Sequence, residues 1–87
     1  MPRVDRIREL LEAALQPESL DVLDDSAAHA GHGGFDPDGS HFRVRMVSGR
    51  FAGKPRLERH RLVYDALASM MHRDIHALVL DLRAPGE

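Results

Sequence analysis

The chain has 87 residues, with 12 basic and 14 acidic side chains, six histidines and no cysteine. This length allows one domain, which buries only about 60% of the surface that its unfolded chain exposes. The chain lacks the run of about eighteen apolar residues that a membrane helix requires, and its first residues do not resemble a secretory signal, so we expect a protein of the reducing cytosol.

The first part of the chain predicts a helix followed by a strand. Apolar residues recur at steps of three and four over residues 3–15, as in an amphipathic helix, and Pro17 then stops the helix. Alternation around Leu20 and Val22 places both side chains on one face of a short strand.

Residues 25–40 are small, polar and rich in glycine, which predicts a long loop. Loops of this length within a compact domain are usually either functional or disordered. The two histidines in this loop, His29 and His32, are therefore worth weighing as functional residues.

Alternation of apolar and charged residues predicts a half-buried strand over residues 41–47. After it, Ser48 is expected to cap a short helical turn and Gly53 to allow the chain to reverse. Pro55 suits the first turn of a second helix, which we expect to end near Met71.

The last part predicts a buried strand over residues 75–82 and a frayed tail over residues 83–87, because Pro85 and Gly86 cannot continue a sheet interior. The order of elements is therefore α-β-β-α-α-β in a single α+β domain. The first two strands can pair antiparallel, and the helical crossover lets the third run parallel to the second, so we expect a three-stranded mixed sheet with helices on one face.

Charge is divided unevenly along the chain. Residues 1–38 carry three basic and nine acidic residues, whereas residues 39–73 carry eight basic and two acidic residues. Four of the basic residues surround the start of the second helix: Lys54, Arg56, Arg59 and Arg61. Arginines and helix amino termini both favour phosphate, so this group indicates either a nucleic-acid surface or a solvated arginine-rich face.

The histidines outside the long loop have several interpretations. His60 shares a helix stripe with apolar residues that face the sheet, which favours a buried structural histidine with a hydrogen-bond partner. His41 and His72 are expected to be solvated. His76 begins the last strand, where it is either a partly buried structural residue or a metal ligand.

Three segments carry a resemblance to a known family. Phe51-Ala52-Gly53-Lys54 leads into Arg59-His60-Arg61, Ile75-His76-Ala77-Leu78 opens the last strand, and Ser26-Ala27-Ala28-His29-Ala30 lies upstream of both. Together they resemble the BolA family over nearly the whole chain. The resemblance implies a class II KH-like fold and an association with transcriptional control.

The resemblance also implies a metal site and a partner. It identifies His76 and His29 as metal ligands, with His32 as an alternate, and a monothiol glutaredoxin as the partner protein. The implied cofactor is a [2Fe–2S] cluster whose other iron is held by a glutaredoxin cysteine and a glutathione thiolate. A chain without cysteine can supply only the imidazole half of such a ligand set, so the protein is expected to hold no cluster in isolation.

Other function classes have less support in the sequence. Zinc could bind the same histidines, but no His-Glu-x-x-His motif is present, and we interpret zinc as adventitious. DNA is the second candidate partner, although Phe51-Ala52-Gly53-Lys54 has one glycine where a KH loop has two. The sequence contains no nucleophile beside a base and no phosphate-binding loop, so it gives little support to an enzyme. By itself the protein is expected to be a monomer or a weak homodimer, away from membranes.

Overall fold

The computed structural model describes residues 2–25 and 41–87. Its elements follow the predicted order: helix α1 (Arg3–Leu15), strands β1 (Ser19–Asp24) and β2 (His41–Val47), a 3-10 turn (Gly49–Phe51), helix α2 (Arg56–Ala66) and strand β3 (Ala77–Arg83). The longer helix has 13 residues. Neither helix within the two described ranges has the length and apolar content to cross a bilayer.

The three strands form one mixed sheet with β2 in the centre. β1 pairs antiparallel with β2, with Ser19 opposite Val47, and β3 runs parallel to β2, with His41 opposite Ala77. The helical crossover between β2 and β3 permits the parallel pairing. The predicted sheet and its strand directions are therefore confirmed.

The core lies between one face of the sheet and the two helices. Alternate residues of β2 point into it, as the pattern of the sequence predicts. Its fully buried apolar side chains come from α1, β2, the 3-10 turn and the residues between the start of α2 and β3: Ile7, Leu11, Phe42, Val44, Met46, Phe51, Val63, Leu67, Met70 and Ile75. The opposite face of the sheet carries charged residues and no helix in the described part of the chain.

Ser48 joins the end of α1 to the turn that follows β2. Its side chain is fully buried, and its hydroxyl donates a hydrogen bond to the carbonyl oxygen of Leu15 at 2.7 Å. The same oxygen accepts from the backbone N–H of Arg50 at 3.1 Å, so the predicted cap is confirmed. Gly53 then reverses the chain with a φ of 73°, a conformation that glycine adopts without strain.

The predicted end of the second helix is wrong. α2 ends at Ala66, and residues 67–74 continue as consecutive turns instead of reaching Met71 as a helix. The carbonyl of Met70 accepts from the backbone N–H groups of both Asp74 and Ile75, at 2.9 and 3.2 Å, which turns the chain toward β3. As a result β3 begins at Ala77, later than predicted.

The expectation of a frayed tail also needs correction. Ala84 is buried, and the backbone N–H of Glu87 donates to its carbonyl at 3.1 Å. The carboxylate of Glu87 is held by the guanidinium of Arg59, on α2. Residues 83–87 therefore fold back onto the domain, because a contact distant in sequence holds them.

Candidate functional site

The predicted ligand His76 lies at one end of the sheet. β1 ends and β2 begins at this end, where the backbone N–H of Asp25 donates to the carbonyl of His41 at 2.7 Å. Because His41 lies opposite Ala77 in the parallel register, β3 also begins here. His76 immediately precedes β3 and is exposed, so it is not the partly buried residue of the structural interpretation.

The predicted partner ligands cannot be compared with the structure. His29 and the alternate His32 lie outside the described residues, and the pairing of either with His76 stays a prediction. Within residues 2–25 and 41–87, no three histidine, aspartate or glutamate side chains are grouped so that they could hold a metal ion.

A second site is a basic cleft of about 420 Å³ between the start of α2 and β3. It is lined by Lys54, Arg56, Arg59 and His60 on one side and by Leu80, Asp81 and Leu82 on the other. The turn at Gly53 places Lys54 beside the amino terminus of α2, and Arg56 and His60 are one helical turn apart. The cleft thus combines cationic side chains with a helix amino terminus.

Arg59 is the most constrained of these basic residues, with only 14% of its side chain exposed. Its Nε donates to the carbonyl of Lys54 at 2.8 Å, and its Nη1 donates to the carbonyl of Leu82 at 3.4 Å. Its two terminal nitrogens also bind both carboxylate oxygens of Glu87, at 2.5 and 2.7 Å. One guanidinium therefore connects α2, the preceding turn, β3 and the tail.

The contact with Arg59 changes the titration of Glu87. The hydrogen bonds from Arg59, and next the backbone N–H of Ala84 at 3.0 Å, lower the pKa of the Glu87 carboxyl from 4.5 to about 2. The same hydrogen bonds raise the pKa of Arg59. The charge of Arg59 is consequently balanced within the chain.

The predicted basic group is thus divided by the structure. Lys54 and Arg56 line the cleft and form no salt bridge with any described carboxylate, whereas Arg59 is paired and Arg61 lies exposed outside the cleft lining. His60 is half-buried at the cleft, without a hydrogen-bond partner among the described residues, so the prediction of a buried, hydrogen-bonded His60 is wrong.

Sequence reasoning missed Glu87 as the partner of Arg59. The two residues are 28 positions apart, and no local pattern connects them. It also missed the position of His60. His60 shares a face of α2 with the buried Val63, but it lies about one turn nearer the start of the helix, where the cleft is. The Pro85-Gly86 pair was the available signal for a turn that brings Glu87 back.

On the face of the sheet that no described helix covers, acidic side chains near β1 and on β3 pair with basic side chains of β2 and β3. The acidic β1 lies beside the basic β2, and Arg43 pairs with Asp25 at 3.5 Å. On the other side of β2, Asp81 accepts from Arg83 at 3.1 Å and lies 3.8 Å from Arg45. The basic residues of β2 are therefore paired, unlike Lys54 and Arg56 at the cleft.

Comparison with known proteins supplies a family context for both sites. The family model described as "BolA-like protein" matches residues 11–87. The chain is 46% identical over 83 residues to human BolA-like protein 1, covering 93% of this chain and 57% of that protein. It is 45% identical over 76 residues to the DNA-binding transcriptional regulator BolA of Escherichia coli, covering 87% of this chain and 70% of that protein.

A solved structure agrees with the sequence comparison. The BolA domain of SufE1 from Arabidopsis thaliana superposes with a TM-score of 0.85 at 44% sequence identity, covering 98% of this chain and 94% of that domain. Its two helices and mixed three-stranded sheet correspond to those described above.

Proposed function

Because this chain belongs to the BolA-like protein family, we propose that it binds a monothiol glutaredoxin and shares a [2Fe–2S] cluster with it. The proposed role is iron–sulfur cluster trafficking or iron-dependent regulation in the cytoplasm. His76 and His29, or His32 in place of His29, would bind one iron. A glutaredoxin cysteine and a glutathione thiolate would bind the other.

The observation that carries the proposal is the end of the sheet at which His76 is exposed. Residues 26–40, which contain His29 and His32, connect Asp25 to His41. Both of these connecting points lie at the end of the sheet where β3 begins. The segment that carries the candidate second ligand therefore starts and finishes at the end of the sheet where His76 lies.

The chemistry of the available donors also supports the proposal. With no cysteine in the chain, no thiolate is available, and histidine imidazole is a side-chain donor that suits iron. Imidazole ligands on one iron and thiolates on the other form a stable [2Fe–2S] arrangement with a raised reduction potential. Because imidazole must be neutral to bind metal, acid should release the cluster from this chain first.

The proposal is tested by mixing the protein with a monothiol glutaredoxin that carries a glutathione-ligated cluster. We expect a new visible absorption and circular dichroism spectrum for the mixed complex. His76→Ala should abolish that spectrum, and His29→Ala or His32→Ala should identify the second ligand. His72→Ala is the matched control, because His72 is exposed in a turn between α2 and β3. An unchanged spectrum with His76→Ala would rule out His76 as a ligand.

A second candidate function is nucleic-acid binding at the basic cleft. It is favoured by Lys54 and Arg56, which have no described carboxylate partner and lie at the amino terminus of α2, where phosphate is bound well. Arg61 is available nearby, while Arg59 is occupied by Glu87. Binding of this kind should weaken steeply with salt, and the salt slope should fall by about one unit per removed cation. The histidine variants should leave it unchanged.

A further inference from the structure

The outer edge of β3 offers backbone hydrogen-bonding groups that the described sheet does not use. The N–H of Ser48 donates to the carbonyl of Arg83 at 2.9 Å, in the register that sets Val47 opposite Arg83. In a parallel sheet, the backbone N–H and C=O of one residue both point to the strand on one side, and those of the next residue both point to the other side. The backbone groups of Arg83 point to β2, so the backbone groups of Leu78, Leu80 and Leu82 point away from β2.

That other side is open in the described part of the chain. The sheet order ends at β3, and the carbonyl of Leu82 accepts there from Arg59 at 3.4 Å. Leu78 and Leu80 have no such side-chain contact among the described residues. Exposed strand edges of this kind are templates for pairing with another extended chain.

The basic cleft runs along this edge. Leu80, Asp81 and Leu82 form one wall, and Lys54, Arg56 and His60 stand on the helix side. The carboxylate of Asp81 is already paired with Arg45 and Arg83. A strand added beside β3 would direct every second side chain toward that helix side. Those positions would face the two cations that lack a described carboxylate partner.

We propose that the cleft accepts an extended segment of a partner protein, which pairs with the edge of β3 and carries acidic residues at alternate positions. Backbone pairing would supply affinity, and the carboxylates opposite Lys54 and Arg56 would supply specificity. A polypeptide fits this edge better than a nucleic acid, because nucleic acid has no regular backbone amides to continue a β-ladder.

This surface is separate from the proposed cluster ligand. The cleft-lining Leu80 and Leu82 lie roughly 13 to 20 Å from His76 along the strand, at about 3.3 Å per residue, and Leu78, at the far end of the pairing edge, lies about 7 Å from it. Arg59 contributes little net charge to the cleft because Glu87 neutralises it. The inference therefore does not depend on cluster sharing, and His76→Ala should leave peptide binding unchanged.

The test uses a synthetic ten-residue peptide of alternating glutamate and threonine, titrated into isotope-labelled protein and followed by NMR. Binding should slow hydrogen exchange at the amides of Leu78 and Leu80, because those amides would become bonded to the peptide. Methylating the peptide nitrogens that face β3 should abolish binding. A peptide of the same composition with its glutamates in one block should bind at least about tenfold more weakly.

Charge-reversal variants test the specificity. The double variant Lys54→Glu and Arg56→Glu should weaken binding of the alternating peptide by about tenfold or more, whereas Arg73→Glu, at an exposed turn position outside the cleft, should not. Equal affinity for the alternating and block peptides, or binding without protection of the Leu78 and Leu80 amides, would overturn the proposal. Binding of a DNA duplex at the cleft in place of the peptide would do the same.

Discussion

Replacing Ser48 with alanine removes two hydrogen bonds from a fully buried position, and the structure allows the cost to be worked out. The hydroxyl donates to the carbonyl of Leu15 at 2.7 Å and accepts from the N–H of Arg50 at 3.1 Å. The carbonyl of Leu15 is in the last turn of α1, where no intrahelical donor is available.

Each lost bond has a separate magnitude. Leaving the Leu15 carbonyl without a donor in a buried site costs about 1 to 3 kcal/mol. Removing the cap from Arg50 costs about 0.5 to 2 kcal/mol, and the lower end applies because Arg50 is exposed to water. The free energy of unfolding should therefore fall by about 2 to 3 kcal/mol. At about 4 to 8 °C per kcal/mol for a domain of this size, the Tm should fall by roughly 8 to 24 °C.

Urea unfolding followed by far-ultraviolet circular dichroism measures this change directly. The midpoint should fall while the slope stays constant, since the surface exposed on unfolding does not change. Ser69→Ala is the matched control, because Ser69 is exposed in the turns after α2 and should change stability by less than about 0.5 kcal/mol. A Ser48→Ala loss as small as that of the control would refute the reasoning.

Three further predictions concern stability. Glu87→Gln should lower the Tm above about pH 5, and its difference from the native protein should vanish near pH 2. The reason is that Arg59 holds the pKa of Glu87 at about 2, so the stabilisation is present above its usual 4.5 and is lost as pH falls through 2. A Tm difference between the two proteins that stays constant as the pH falls from about 5 to 2 would contradict this prediction. Asp74→Asn removes the charge that pairs with Arg3 at 3.2 Å and with Arg6 at 3.6 Å on the partly exposed surface, and it should cost about 1 kcal/mol or less in urea, with the loss shrinking in high salt. Phe51→Ala should cost about 3 to 5 kcal/mol by the same assay because Phe51 is fully buried, and a cost below 1 kcal/mol would show that the site collapses around the cavity.

The sequence predicts the regular elements well where burial imposes a period. The three and four residue spacing of α1 and the strict alternation of β2 both arise because one face of each element packs on the core. The end of α2 was misjudged for a related reason. Leu67 and Met70 are buried at a spacing of three, and a series of turns satisfies that spacing as well as a helix does.

The sites are less predictable because they depend on contacts between distant residues. The place of His76 at the start of a strand follows from the local sequence, but its exposure does not. The contact between Arg59 and Glu87 likewise requires β3 and the tail to be in place. The same applies to the cleft, whose walls come from α2 and from β3. Local patterns identify the basic residues but not which of them remain available.

The central claim is that this chain supplies two imidazole nitrogens to one iron of a shared cluster, and pulsed electron paramagnetic resonance tests it most directly. The chain is labelled with ¹⁵N-histidine, the complex with an unlabelled monothiol glutaredoxin is assembled, and its cluster is reduced by one electron. The proposal predicts two strongly coupled ¹⁵N nuclei, both lost with His76→Ala, because that variant no longer shares the cluster, and both retained with His72→Ala. A reduced cluster without coupling to any ¹⁵N nucleus would contradict the claim.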